Sequence, residues 1–247
     1  MLGKLLRVLK TDLYTLSMSK FEVQKLDWDS DFFGYKVGKA VVNNANDNFL
    51  EKVRKEVHDF DLCYVYSTHQ SFSDLDIFKD EKVIFEIRLK SFVFTKQASS
   101  VIPYSKEDFT HLILLTFQSG EFSRFRLDPR FNNYEFERLY FEWLLKSVRK
   151  VNADEVLVYK NEMQIVGFVT MVKKQDFLEI GLIAIDPKYR GIGIGSLLLA
   201  GVFDYALSHQ INRVTVSTQR RNVKAIDFYK KNSFREVESI FICHVWK

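Results

Sequence analysis

The residues with the clearest chemical use are Arg190-Gly191-Ile192-Gly193-Ile194-Gly195-Ser196, set between an apolar stretch, Ile180 to Ile185, and a helix-like stretch, Leu197 to His209. The pattern reads as a strand, a glycine turn and a helix start. Three glycines let the backbone turn tightly and lie close against a ligand, and the unpaired N–H groups at a helix N-terminus favour an anion. The run therefore reads as a phosphate cradle. It is not a Walker loop, because no Gly-Lys-Ser/Thr ending follows. A Rossmann fingerprint is disfavoured, since the turn lies late in the chain and its strand follows a hairpin instead of opening a βαβ unit. An ordinary strand-to-helix turn, with glycines used for packing, is the alternative.

The flanking segments carry a resemblance. Upstream stands Glu179-Ile180-Gly181-Leu182-Ile183-Ala184-Ile185-Asp186-Pro187, and downstream Asn222-Val223-Lys224-Ala225-Ile226-Asp227-Phe228-Tyr229-Lys230-Lys231-Asn232-Ser233-Phe234. Together with the turn, in this order, they resemble the GNAT superfamily of N-acetyltransferases. The resemblance implies an acetyl-CoA site in which backbone groups of Leu182, Ile183, Ala184 and Ile185 meet the pantetheine arm. The pyrophosphate would rest on Arg190, Gly191, Ile192, Gly193, Ile194, Gly195 and Ser196, while Asn222 and Tyr229 reach the thioester. No metal is implied. Ser233 departs from the family, many of whose members have glycine before the Phe; a position with positive φ would suit Ser less well.

Acetyl transfer to an amine needs a neutral amine, a donor for the developing oxyanion and a proton for the departing thiolate. Tyr229 is the candidate proton donor, with Asn222 two helical turns earlier on the same face; a core tyrosine is the alternative. Glu179 matches the general-base glutamate of some members, or is a plain strand residue. Backbone N–H groups from Leu182 to Ile185 would supply the oxyanion donor. No placed nucleophile accompanies them, which predicts direct attack in a ternary complex.

A narrower resemblance rests on Leu26-Asp27-Trp28-Asp29-Ser30-Asp31-Phe32-Phe33-Gly34 and Ser123-Arg124-Phe125-Arg126-Leu127-Asp128-Pro129. These segments look like those of bacterial TDP-fucosamine acetyltransferases, which acetylate the amine of a dTDP-linked 4-amino-4,6-dideoxy sugar. The loop from Phe117 to Phe131 interleaves aromatic residues with arginines, and Arg124, Phe125 and Arg126 are the candidate contacts for base, sugar and diphosphate. A hydrophobic loop with solvated arginines is the alternative. The expectation is N-acetylation of a nucleotide-linked amino-dideoxy sugar on the way to a surface polysaccharide. A protein, peptide or small-amine N-acetyltransferase, or a non-catalytic acyl-CoA-binding module, are the competing readings.

Composition fits these readings. The 247 residues are 47% hydrophobic and 15% aromatic, ample for a packed core, and 36 basic against 32 acidic residues give a formal charge of +4. So mild a charge favours a local anionic ligand over nucleic acid. Cys63 and Cys243 stand apart without metal-like spacing, and the five histidines form no ligand pattern. A cytoplasmic protein without stable membrane insertion is expected, and a homodimer is compatible with the sequence. Residues 1–20 carry a leucine stripe at helical spacing with Lys4, Arg7 and Lys10 around it, which predicts a docking helix or a membrane-surface contact. Met18 is an alternative natural start.

The elements that must position this chemistry follow from periodicity and turn signals. Strands are predicted over 21–26, 35–42, 61–67 and 82–94, with a helix over 48–60. That defines a small α/β domain over 21–95, a linker over 96–104 that ends near Pro103, and a second domain over 105–247. In the second domain Ser105 starts a helix through Phe117, and a further helix spans 134–150 with Leu139, Trp143, Leu144, Ser147 and Val148 inward. Strands follow at 155–159, 164–173 and 177–185, then the turn and its helix, a strand at 213–217, a helix at 223–231 and closing strands at 234–246. The ααβββαβαβ order predicts a GNAT fold, α/β (α+β) in class. Its central sheet would be mixed, mostly antiparallel and flanked by helices, with the small N-terminal α/β domain before it.

Overall fold

The computed structural model describes residues 23–42, 55, 57–68, 77–89, 101–162 and 164–247. The leucine stripe of residues 1–20, most of the helix expected over 48–60 and most of the expected linker lie outside these residues.

The chain forms two compact units, Met1–Val83 with Glu238–Lys247, and Ile84–Val237. The boundary falls inside two strands, β4 (Phe78–Arg88) and the last strand, Arg235–Trp246, not in the expected linker. Val101–Pro103 is itself a strand, paired with Tyr159 to Leu157. Pro103 is tolerated there because the strand stands at the end of the sheet order, where a missing N–H breaks no ladder. The C-terminal residues belong to the first unit because strand pairing joins segments far apart in sequence, which local composition does not register.

In the first unit, β1 (Gln24–Lys25) pairs antiparallel with β2 (Val37–Val42), and β2 pairs parallel with β3 (Leu62–Ser67) along its whole length. The final strand pairs antiparallel with β3, placing Val245 opposite Cys63 and Cys243 opposite Val65. Ala40, Val42, Cys63, Val65, Cys243 and Val245 form its apolar core. Helix α1 (Asp27–Phe33) ends at Gly34, whose φ of 83° is the left-handed conformation glycine adopts without strain. Trp28 stacks on Phe32 at 4.9 Å, so these rings anchor the helix.

In the second unit a Ser105 cap, with Oγ 2.8 Å from Asp108 Oδ2, opens a short 3-10 turn that leads into α2 (Phe109–Ser119). Then come α3 (Arg124–Leu127), α4 (Glu135–Val148), β6 (Glu155–Asn161), β7 (Gln164–Lys173), β8 (Leu178–Ile185), α5 (Ile194–Ser208), β9 (Arg213–Gln219) and α6 (Val223–Lys231). With β5 (Val101–Pro103), the strands run in the order β4-β9-β8-β7-β6-β5. The pairs from β5 to β8 are antiparallel and β8–β9 is parallel, so the sheet is mixed as expected.

Helices cover the sheet of this unit. Helix α2 packs on β7, β8 and α4, and α5 packs across β5 to β9. On α4 the expected inner residues Leu139, Leu144 and Ser147 are buried, joined by Phe136 and Tyr140. A Cβ at Gly167 would touch Leu198 and Ile194 of α5, whereas one at Gly181 would approach Thr170 and Trp143 of α4. The two glycines thus mark opposite faces of the sheet. Ser233 has φ 66°, the left-handed conformation at which the sequence placed a poorly suited serine.

Candidate active site

The centre of the second unit is the end of the β8–β9 pair. Leu178↔Val214, Glu179↔Thr215 and Ile180↔Val216 are in register, and the pairing stops there, although β8 continues to Ile185 and β9 to Gln219. A bulge marks the stop on the other side of β8: the β7–β8 register passes from Val169↔Ile183 to Met171↔Ile180, so Thr170 stands opposite both Gly181 and Leu182. The two parallel strands therefore part, and backbone groups of Gly181 to Ile185 on the β9 edge are left without a strand partner.

The glycine turn follows directly. Asp186 caps a 3-10 turn at Pro187–Tyr189 by accepting the Lys188 N–H at 2.9 Å. Gly191 has φ 84° and Gly193 φ 95°, conformations that need glycine. Gly193 is the N-cap of α5 and no side chain caps that helix. The first N–H groups of a 15-residue helix are thereby left to a ligand, at its positive dipole end. Ile192, 71% exposed, forms the tip of the turn, and Ser196 follows in the first turn of α5.

Two residues of the run serve the protein itself. Arg190 donates from Nε to the Ile185 carbonyl at 2.9 Å, tying the turn to the end of β8. Gly195 is buried, and a Cβ there would lie 2.8 Å from Phe228 of α6. Its glycine is required by helix packing, so the expected close approach to a ligand belongs to Gly191 and Gly193.

Asn222 and Tyr229 do not share a helical face in the expected way. Asn222 is the N-cap of α6, and its Oδ1 accepts the Ala225 N–H at 3.2 Å. Asn222 stands just before the helix expected over 223–231 and belongs to its cap; the cap uses Oδ1 and not Nδ2. Tyr229 lies inside α6 at 3% exposure, its ring 5.7 Å from Phe85, 5.3 Å from Phe228 and 5.7 Å from Phe234. Burial pushes its phenol well above the ordinary range, so it stays protonated.

Glu179 is 8% exposed, in the last stretch of paired β8, with Lys174 Nζ 3.4 Å from Oε2. Arg124, Phe125 and Arg126 sit in α3, capped by Ser123, whose Oγ accepts the Phe125 N–H at 3.3 Å. The expected loop is therefore helical at its centre. Arg124 is buried with its guanidinium 4.6 Å from the Phe125 ring, and Arg126 lies 5.1 Å from Phe136. Arg124 is thus withdrawn from solvent against Phe125, whereas Arg126 is exposed and lies over the Phe136 ring from the surface. Thr170, Lys174 and Phe228 were not singled out by sequence; the signal for Thr170 was the isolated Gly181 within a strand, the mark of a bulge.

Comparison with known proteins decides the family. The sequence model of the Acetyltransferase (GNAT) family matches residues 114–234. An uncharacterized N-acetyltransferase of Archaeoglobus fulgidus is 30% identical over 107 residues, 40% of this chain and 70% of that protein. The chain belongs to the GNAT acetyltransferase family. The spore coat polysaccharide biosynthesis protein SpsD of Bacillus subtilis is 26% identical over 124 residues, 50% of this chain and 43% of that protein, so the chain spans less than half of this relative's length. A GCN5-related N-acetyltransferase from Sphaerobacter thermophilus shares the GNAT fold, with a TM-score of 0.58 at 13% identity over 100% of this chain and 85% of that one. Acetyl-CoA is the co-substrate of this fold. The parted strands, the two left-handed glycines and the uncapped helix start fit its elongated, phosphate-bearing shape. Among the described residues no cluster of three or more His, Cys, Asp or Glu is placed to hold a metal ion, and no helix is long and apolar enough to cross a membrane.

Proposed function

We propose that this chain is an acetyl-CoA-dependent N-acetyltransferase acting on the amine of a nucleotide-linked amino-dideoxy sugar, with dTDP as the nucleotide carrier. The observation that carries the donor half is the parting of β8 from β9 beside the uncapped start of α5. The acceptor half is supported by Arg124, Phe125 and Arg126, where forked guanidiniums lie against aromatic rings, and by the likeness to a polysaccharide biosynthesis protein.

Acetyl-CoA supplies an acyl group already activated as a thioester. In this reading the N–H groups of Ile183 and Ile185, which face the β9 edge, are offered to the pantetheine, whereas Leu182 and Ala184 turn theirs to β7. Gly191, Gly193 and the first N–H groups of α5 hold the pyrophosphate, with Arg190 bracing the turn, and the Asn222 amide steadies the arm. The sugar amine forms the new N–C bond as the C–S bond breaks, without an acyl-enzyme. Glu179 takes the proton released by the amine, through water. Tyr229 donates a hydrogen bond to the leaving sulfur; with its phenol pushed up by burial, it is a persistent donor more than a ready proton source.

The test is acetyl-CoA-dependent thiol release with dTDP- and UDP-linked 3-amino and 4-amino dideoxy sugars, a lysine peptide and a free polyamine. Turnover confined to a dTDP-linked sugar is the expected result, with Arg124→Ala and Arg126→Ala raising the acceptor KM before that of acetyl-CoA. Turnover on the peptide or polyamine alone would overturn the sugar assignment. Acetyl-CoA binding with no turnover on any amine would identify a binding module.

A further inference from the structure

Thr170 is a hydroxyl residue in an otherwise apolar, buried part of β7, and it is 1% exposed. A hydroxyl so buried is costly unless bonded. Its Oγ1 accepts the Leu182 N–H at 2.8 Å, at the bulge where one β7 residue faces two of β8. A Cβ at Gly181 would lie 2.9 Å from that oxygen, so the glycine keeps the space open for the hydroxyl.

The consequence lies one peptide further on. Successive N–H groups of a strand point to opposite edges. The Leu182 N–H is turned to β7, and so is the Asp186 N–H, which donates to the Val166 carbonyl at 2.8 Å. The N–H groups of Ile183 and Ile185 therefore point to the β9 edge, where pairing has already ended at Ile180↔Val216. On that edge the Ile185 carbonyl is taken by Arg190, and the Ile183 N–H faces the gap.

We infer that Thr170 is a positioning residue for acyl transfer: its hydroxyl locks the Leu182 peptide against β7 and so presents the Ile183 N–H to the carbonyl oxygen of the acyl donor. This rests on the acetyl-CoA reading of the gap. A donor to a developing oxyanion is effective only when it is held in place beforehand, and a side-chain anchor at a bulge fixes the register that a backbone ladder alone would let slip. Leu182 itself is excluded as that donor, because its N–H is already given to Thr170.

Thr170→Val keeps the volume and removes the hydroxyl; Thr170→Ser does the reverse. The readout is the infrared carbonyl band of bound acetyl-CoA labelled with 13C at the acyl carbon, together with the Kd for CoA. In the wild type the band should lie below its position in buffer. In Thr170→Val it should return to that position with the CoA Kd unchanged, and turnover should fall about 10²-fold, the cost of misplacing a reacting group. Thr170→Ser should recover the shift, whereas a packing role would be rescued by Val and not by Ser. A wild-type band shift in Thr170→Val would overturn the inference. Should that variant not fold, Gly181→Ala displaces the same hydroxyl and is read in the same way. Failure of the wild type to bind acetyl-CoA refutes the donor reading itself and is visible before any variant is made.

Discussion

Gly195 of α5 and Phe228 of α6 are packed so closely that a Cβ on the glycine would lie 2.8 Å from Cε2 of the ring, with Ile185 Cδ1 at 3.1 Å on another side. The start of α5 is thus set by contact with α6 and the end of β8. Gly195→Ala should cost about 1–3 kcal/mol, the range for overpacking a tight site. It should also weaken CoA binding, because the helix start that faces the phosphates must shift. Urea unfolding and calorimetric titration with CoA measure both. Gly191→Ala is the contrast: its Cβ would meet nothing within 4 Å, so only the left-handed backbone resists it, at about 1–2 kcal/mol. Unaltered stability and CoA affinity in Gly195→Ala would show that the helix contact does not set the site.

Asn222 carries two separable duties. Its Oδ1 caps α6, and Nδ2 is the group proposed to hold the pantetheine. Asn222→Ala should lower stability by about 1 kcal/mol through loss of the cap. Asn222→Asp retains an acceptor for the Ala225 N–H and so should hold stability near the wild type while weakening acetyl-CoA binding. Equal acetyl-CoA affinity in wild type and Asn222→Asp would reduce Asn222 to a cap.

The element order of the second unit was legible because each element carries a local signal: the Ser105 capping box, the Asn161-Glu162 turn, the alternation of β6 and β7, the glycines before α5. Helix α6 was read to its ends, Val223–Lys231. What escaped was non-local. The bulge opposite Thr170, the end of the β8–β9 pairing and the Gly195–Phe228 contact arise between segments distant in the chain, and no periodicity encodes them. The assignment of the last strand to the first unit was hidden for the same reason, since Val245 meets Cys63 across nearly the whole sequence. Asn222 and Gly195 show a second limit: residue type was right, but one residue type serves either capping and packing or ligand contact.

Cys63 and Cys243 give the first unit a built-in alkaline weakness. Both are buried in one apolar cluster, and burial pushes each thiol up to about 12 from an ordinary value of about 8.5. Between those values the unfolded chain has lost protons that the folded chain keeps, so stability is fully present below about pH 8.5 and falls as pH rises towards 12. The slope is at most about 1.4 kcal/mol per pH unit for each thiol. Urea unfolding from pH 8 to 10.5 should show this loss, and Cys63→Ala should flatten the slope even though it lowers stability at pH 8. An equally steep decline in the variant would place the titration elsewhere.

Tyr229 yields the sharpest test of the chemistry. An ordinary phenol begins to ionise near pH 10, and an ionised residue could not donate to the leaving sulfur. Burial among Phe85, Phe228 and Phe234 pushes the Tyr229 phenol upward, so the donor form should persist beyond pH 10 and the basic limb of turnover attributable to it should be displaced to higher pH. Tyr229→Phe conserves the ring packing and removes only the hydroxyl. Its kcat should fall about 10²-fold with the acetyl-CoA KM unchanged, the pattern of an interaction made in the transition state and not in the ground state. The fall should be similar from pH 7 to 9.5, since the wild-type residue does not change charge across that interval. A variant that turns over at the wild-type rate when chemistry is rate-limiting would return Tyr229 to the core, leaving the departing sulfur to be hydrogen-bonded by solvent.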